Sequence, residues 1–171
     1  MMKKLLLLLS LLIACSGIGC QPARTEGFAI YLLEDDVTGT DLPGRSLDQL
    51  DLKDEPILTQ HDLLSYTEDT HQMELTDAAY QRFERLFESS VGVSGLPFVV
   101  TVNHEAIYAG AFWTPISSIS FDGVVILRSF DPDNRLLGIN LGYPTQEAFS
   151  GADPRDDKRI MQVLNDASKL H

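Results

Sequence analysis

An α+β domain, with a mostly antiparallel sheet and helices on one face, is the fold class this sequence predicts, and three observations predict it. Between Gly95 and Val125 the chain carries two extended apolar runs, Phe98 to Val102 and Ala106 to Trp113, separated by the polar break Asn103-His104-Glu105, which is the pattern of a β-hairpin. A third run, Phe121 to Leu127, follows a hydroxyl-rich connection. Two other stretches carry apolar residues at helical spacing: Ala79, Phe83, Leu86 and Phe87, and Ile160, Leu164 and Ala167. The resulting order is strand, loop, strand, helix, several strands, helix.

Taken in order, Gly27 to Leu33 is apolar throughout, which suits a central strand buried on both faces, and Glu34-Asp35-Asp36 closes it. Val37 to Asp54 is rich in glycine, proline and acids, with Leu47, Leu50 and Leu52 to pin it, and reads as a loop with one turn of helix. Pro56 to Leu58 makes a short strand, and Thr59-Gln60-His61-Asp62 has the spacing of a capping box, predicting a short helix through about Ser65. Glu68-Asp69-Thr70 is a turn, His71 to Leu75 a strand with Met73 and Leu75 on one face, and Thr76 the cap of the next helix, where Asp77 suits the helix dipole. Ser89 to Pro97 ends that helix. Asp131-Pro132-Asp133-Asn134 is a turn; Arg135 and the lack of the required glycine and terminal glutamate argue against a calcium loop there. Leu136 to Leu141 is a strand with Leu137, Ile139 and Leu141 on one side, and Asp153-Pro154 opens the last helix as cap and first residue. With no repeat or second domain evident, residues 27–171 form one globular unit.

The N-terminus predicts location. Met1 to Lys4 is a short basic region, and Leu5 to Ala14 is an apolar run too short for an ordinary transmembrane helix, the pattern of an export signal. It ends in Leu12-Ile13-Ala14-Cys15, which resembles the lipobox of bacterial lipoproteins, where a cysteine following small residues is acylated and becomes the new N-terminus. The resemblance implies residues 1–14 as signal peptide, Cys15 as lipidation site and residues 15–26 as tether. Cys20 is the alternative, after Gly17-Ile18-Gly19, with glycine in place of the aliphatic residue the motif expects. Two or three acyl chains, at about 0.8 kcal/mol per buried methylene, make a stable anchor. Both cysteines precede the globular unit, so neither a disulfide nor a zinc-thiolate cluster supports it. Removal of Lys3 and Lys4 takes the formal charge from −12 to about −14, which argues against nucleic acid and anionic lipid surfaces as partners.

A second resemblance lies in the middle of the chain. Ile57-Leu58-Thr59 with Asp62-Leu63, Glu74-Leu75-Thr76 with Ala79 and Phe83, then Gly95, Phe98-Val99-Val100, Val102, Ile107, Ser117, Ser118, Ser120 and Gly123 look like the extracytoplasmic head subdomain of the SecD translocase subunit. That likeness implies a ferredoxin-like core; with no transmembrane helix cluster in the sequence, it does not imply translocase activity. The whole chain also resembles uncharacterised bacterial lipoproteins with similar GFAIYLL and GAFW…SSISFDG stretches.

For chemistry, Ser117 or Ser118 with His104 and Asp122 are the residue types of a nucleophile, base and orienting group, but no nucleophile elbow accompanies them. His61, Asp62, His71 and Glu74 are ligand types near element ends, although strand alternation points residues 71 and 74 to opposite faces. No cofactor or metal is expected. Tyr108, Trp113, Thr114, Ser117, Ser118, Ser120 and Asp122 combine aromatic area with hydroxyl groups, the makeup of a recognition surface. Strand alternation sends Tyr108 and Phe112 to one face and Trp113 to the other. The expected function is a lipid-anchored extracytoplasmic binding or assembly module of the bacterial envelope, with an envelope protein as partner class; the alternative is a hydrolase-like envelope enzyme.

Overall fold

The computed structural model describes residues 26–128 and 135–171. The strands are β1 (Phe28–Leu32), β2 (Leu58–Thr59), β3 (Leu63–Thr67), β4 (Gln72–Leu75), β5 (Leu96–Val102), β6 (Glu105–Trp113), β7 (Phe121–Leu127) and β8 (Leu136–Tyr143). The helices are α1 (Asp77–Ser89) and α2 (Lys158–Asp166). All eight strands join one sheet in the order β2-β1-β5-β6-β7-β8-β4-β3. Its two edge strands, β2 and β3, are joined by only three residues, Gln60–Asp62. A connector that short forces the sheet to curl until its edges approach each other. Leu58 and Leu63, from opposite edges, accordingly share one buried cluster.

Period-two alternation divides the strands between two faces. Phe98, Val100, Val102, Tyr108, Phe112, Val124, Ile126, Leu137, Ile139 and Leu141 face inward, together with Ala79, Phe83 and Phe87 of α1 and Ile160 and Leu164 of α2. Both helices therefore cover the same face. Val99, Ala111, Trp113, Phe121, Val125 and Tyr143 face outward and meet Leu33, Leu42 and Leu50 from the irregular segment after β1. Leu141 points in and Tyr143 out although only two positions separate them, and Gly142 between them is left-handed, with φ +69. The segment after β1 contains two single 3₁₀ turns, Gly39–Asp41 and Leu47–Gln49.

Three expectations change. The helix predicted through Ser65 is one 3₁₀ turn: Asp62 Oδ2 accepts from Thr59 N at 2.9 Å, so the capping box forms, but Leu63 and Tyr66 bury as β3 against β4. The last helix opens at Asp157, whose side chain accepts from Arg159 N, because the Asp153 carboxylate is occupied by Arg155. The ferredoxin-like core is not borne out, since it needs two βαβ units in one small sheet; here α1 links β4 to β5, which are four places apart. The expected turn at 131–134 lies outside the described residues.

Most pairs are antiparallel, but β6 and β7 are parallel, with Gly110 opposite Val124 and Trp113 opposite Leu127. Parallel neighbours ordinarily need a crossover of about a dozen residues or more. Here residues 114–120 alone return the chain almost the length of β6. Tyr143 straps this link down: its hydroxyl lies 2.9 Å from both Pro115 O and Ser117 O and shares its one proton between them, and its carbonyl accepts from Ser120 Oγ at 3.1 Å.

Candidate functional site

A group of ionisable side chains lies where β3, the β3–β4 turn and the link before α2 meet. Tyr66, on β3, points inward, and its hydroxyl is 2.9 Å from His71 Nδ1. His71 caps the 3₁₀ turn Glu68–Thr70 in a left-handed conformation, φ 49. Its carbonyl accepts from Ile139 N on β8 at 2.9 Å, fixing the backbone beneath the ring. Arg155 reaches the same residue from the other side, donating Nη1 to Ile139 O at 2.7 Å. Asp153 holds Arg155 by two guanidinium bonds, from Nε at 2.9 Å and from Nη2 at 2.6 Å. Asp156 Oδ1 stands 3.5 Å from His71 Nε2.

Burial sets the electrostatics. His71 is 7 % exposed; burial lowers its pKa and the Arg155 charge adds to that, against the opposing pull of Asp156, Asp153 and Glu68. The ring is consequently neutral near pH 7. Burial likewise pushes the Tyr66 phenol well above its ordinary value. Tyr108, wholly inside, is raised by burial first and by Tyr66 next. The Asp153 carboxyl is lowered, chiefly by the Arg155 hydrogen bond. Arg155 thus keeps one carboxylate ionised beside a neutral imidazole. Among the described residues, His71, Asp153 and Asp156 each offer a ligand atom within 4.8 Å of the others. The group has acceptors suited to a cation, and it contains no serine or cysteine nucleophile.

The residues expected to form a recognition surface are placed differently. Trp113 is fully buried, its ring stacked on Phe121 at 4.9 Å and 16°. Tyr108 is buried on the opposite face of the sheet. Both are buried: the segment after β1 and the folded-back 114–120 link cover Trp113, and Tyr108 packs in the inner core. Thr114 is half-buried; Ser117 is buried and donates to Val93 O at 2.6 Å. Ser118 and Ser120 are exposed. Asp122, also exposed, accepts from Ser150 N at 2.8 Å, and its carboxyl is lowered by the Ser150 hydroxyl first. A shallow cleft of about 300 Å³ opens beside it, lined by Leu42, Pro43, Arg45, Leu47 and Phe121.

The hydrolase-type set does not assemble. Ser117 is spent on Val93 O and Asp122 on Ser150, and His104 sits in the β5–β6 turn with its ring 6.3 Å from Tyr31. Nor do the four ligand types converge: Asp62 pairs with Arg82 at 2.6 Å, Glu74 accepts from Ser65 Oγ at 3.4 Å, and His61 is exposed. Only His71 of that group joins the cluster, and its acidic neighbours come from the run Asp153-Pro154-Arg155-Asp156-Asp157. An arginine held between acids in that run was the available signal, masked by its likeness to a helix cap. Cys15 and Cys20 lie outside the described residues. No family model, curated protein or solved structure matches the chain.

Proposed function

We propose that this chain is a lipid-anchored binding or assembly module of the bacterial envelope, facing the periplasm or the cell exterior and acylated at Cys15, with Cys20 as the alternative. The observation that carries the proposal is the N-terminal order of Lys3-Lys4, the apolar run Leu5 to Ala14, and Cys15. Among the described residues no helix is long and apolar enough to cross a membrane, so acyl chains are the attachment proposed. The partner surface proposed is smaller than residue types alone suggest. Ile116 is 78 % exposed and Val93 50 %, and the Ser117 bond to Val93 O holds their two loops together. Two exposed apolar side chains on loops held together suit a protein partner.

Mass spectrometry of the mature N-terminus tests the anchor: an acylated Cys15 is expected, and a chain that keeps its leader or starts unacylated would overturn it. Crosslinking in native membranes tests the surface. Val93→Ser with Ile116→Ser is expected to lose a specific adduct that the wild type forms, with an unchanged thermal melt. An adduct pattern identical in both proteins sinks the binding role of that patch.

A further inference from the structure

We propose that His71, Asp153 and Asp156 form a binding site for a first-row divalent cation such as Zn²⁺. The ligands come from two segments far apart in sequence, the β3–β4 turn and the β8–α2 link, and the fold brings one donor atom of each within 4.8 Å of the others. Metal–nitrogen and metal–oxygen bonds of about 2.0–2.2 Å at a tetrahedral angle place donor atoms about 3.4 Å apart, so the two exposed aspartates close by up to about 1.4 Å when the ion binds.

The imidazole is already set for the task. Metal-bound histidines characteristically bond their second ring nitrogen to a neighbouring polar group, which fixes tautomer and orientation. Here Nδ1 is engaged by the Tyr66 hydroxyl at 2.9 Å. With the proton on Nδ1 and directed at the Tyr66 oxygen, the Nε2 lone pair faces the Asp156 carboxylate, and Asp153, held by Arg155, completes the group. Nε2 and Asp156 Oδ1 are 3.5 Å apart, beyond the length of a good hydrogen bond. A nitrogen in a side chain more than nine-tenths buried, aimed at an acid it does not bind well, is accounted for by a cation between them.

The same ligand set selects among ions. One imidazole and two carboxylates suit zinc, manganese or iron(II), whereas calcium and magnesium prefer oxygen alone. The Asp156 side chain is 65 % exposed, which supplies the entry path and leaves coordination positions for water. Arg155, bound to Asp153, orients that carboxylate and subtracts one positive charge's worth of attraction, so the affinity is moderate.

Isothermal titration of Zn²⁺ into the metal-stripped full chain in detergent tests the proposal, with the cysteines alkylated to remove thiolate binding. One saturable site per chain is expected, weakened at least about tenfold in His71→Gln and in Asp156→Asn, in line with the loss of a ligand or its support. The wild-type melting temperature is expected to rise with added zinc, because only the folded chain holds the site. Asp156 is exposed, so Asp156→Asn remains informative if His71→Gln fails to fold. No saturable binding, or equal binding by wild type and Asp156→Asn, would overturn the site.

Discussion

The two faces of the curled sheet are covered by different means. The inner face is closed by α1 and α2, each presenting a stripe at helical spacing, and its aromatic rings interlock: Phe83 lies 4.7 Å from Phe87 and 5.4 Å from Phe112. Among the described residues no α-helix covers the outer face. It is closed by the irregular segment after β1 and by the 114–120 link, gathered around a single large ring, Trp113. Close approach replaces periodicity there: Gly95 is left-handed, with φ +74, and a Cβ added to it would lie 2.4 Å from Trp113 Cε3. A sheet can thus acquire a second core from a segment with no secondary-structure signal, provided that small residues let the backbone reach a large ring.

The largest expected effects come from emptying each face in turn. Phe83→Ala and Trp113→Ala are each expected to destabilise the domain by about 3 to 5 kcal/mol in chemical denaturation, as for loss of a buried aromatic. A Trp113→Ala midpoint equal to wild type would reduce the outer layer to a mobile cover. Next is Tyr143→Phe, which removes the one proton shared by two carbonyls of the link and is expected to cost about 1 to 3 kcal/mol; no loss would mean that the link holds without its strap. Thr76→Ala, which removes the α1 cap bond to Ala79 N, is expected to cost about 1 kcal/mol in the same assay, a figure confined to the helical face.

The smallest effect concerns α2. The Asp157 carboxyl is pulled down to about 2 by the Arg159 hydrogen bond, with burial opposing. A depressed folded-state value means that its contribution is present above the ordinary carboxylate range and is lost as pH falls through about 2. An NMR titration of the carboxyl carbon is expected to show that midpoint and to move upward in Arg159→Gln. An ordinary midpoint in the wild type would refute the pairing.

The same contrast explains what was legible in the sequence. Strands β1, β5, β6, β7 and β8 and helix α1 follow from period and caps because each is decided within its own residues. The division of Tyr108 and Phe112 from Trp113 follows from alternation alone. The burial of Trp113 does not, since a tryptophan followed by Thr-Pro-Ile-Ser-Ser looks the same whether the loop projects into solvent or folds back to start a parallel strand. That choice is made by Tyr143, Val93 and Gly95. The cluster at His71 was hidden for the same reason: Tyr66 was expected beyond a helix rather than on a strand, and Asp153 was assigned to a cap that Asp157 provides.

The edges of the sheet carry one more consequence. β2 has two residues, and the outer side of β3 is already occupied: Tyr66 N donates to Lys169 O at 2.7 Å, His171 N to Tyr66 O at 2.9 Å, and Glu68 N to His171 O at 3.0 Å. Unpaired strand edges are templates on which one chain adds to the next. Molecules tethered by lipid, as proposed here, diffuse in two dimensions and collide far more often than the same number free in solution. With one rim shortened and the other stitched over, such crowding finds little backbone on which to build a ribbon from one copy to its neighbour.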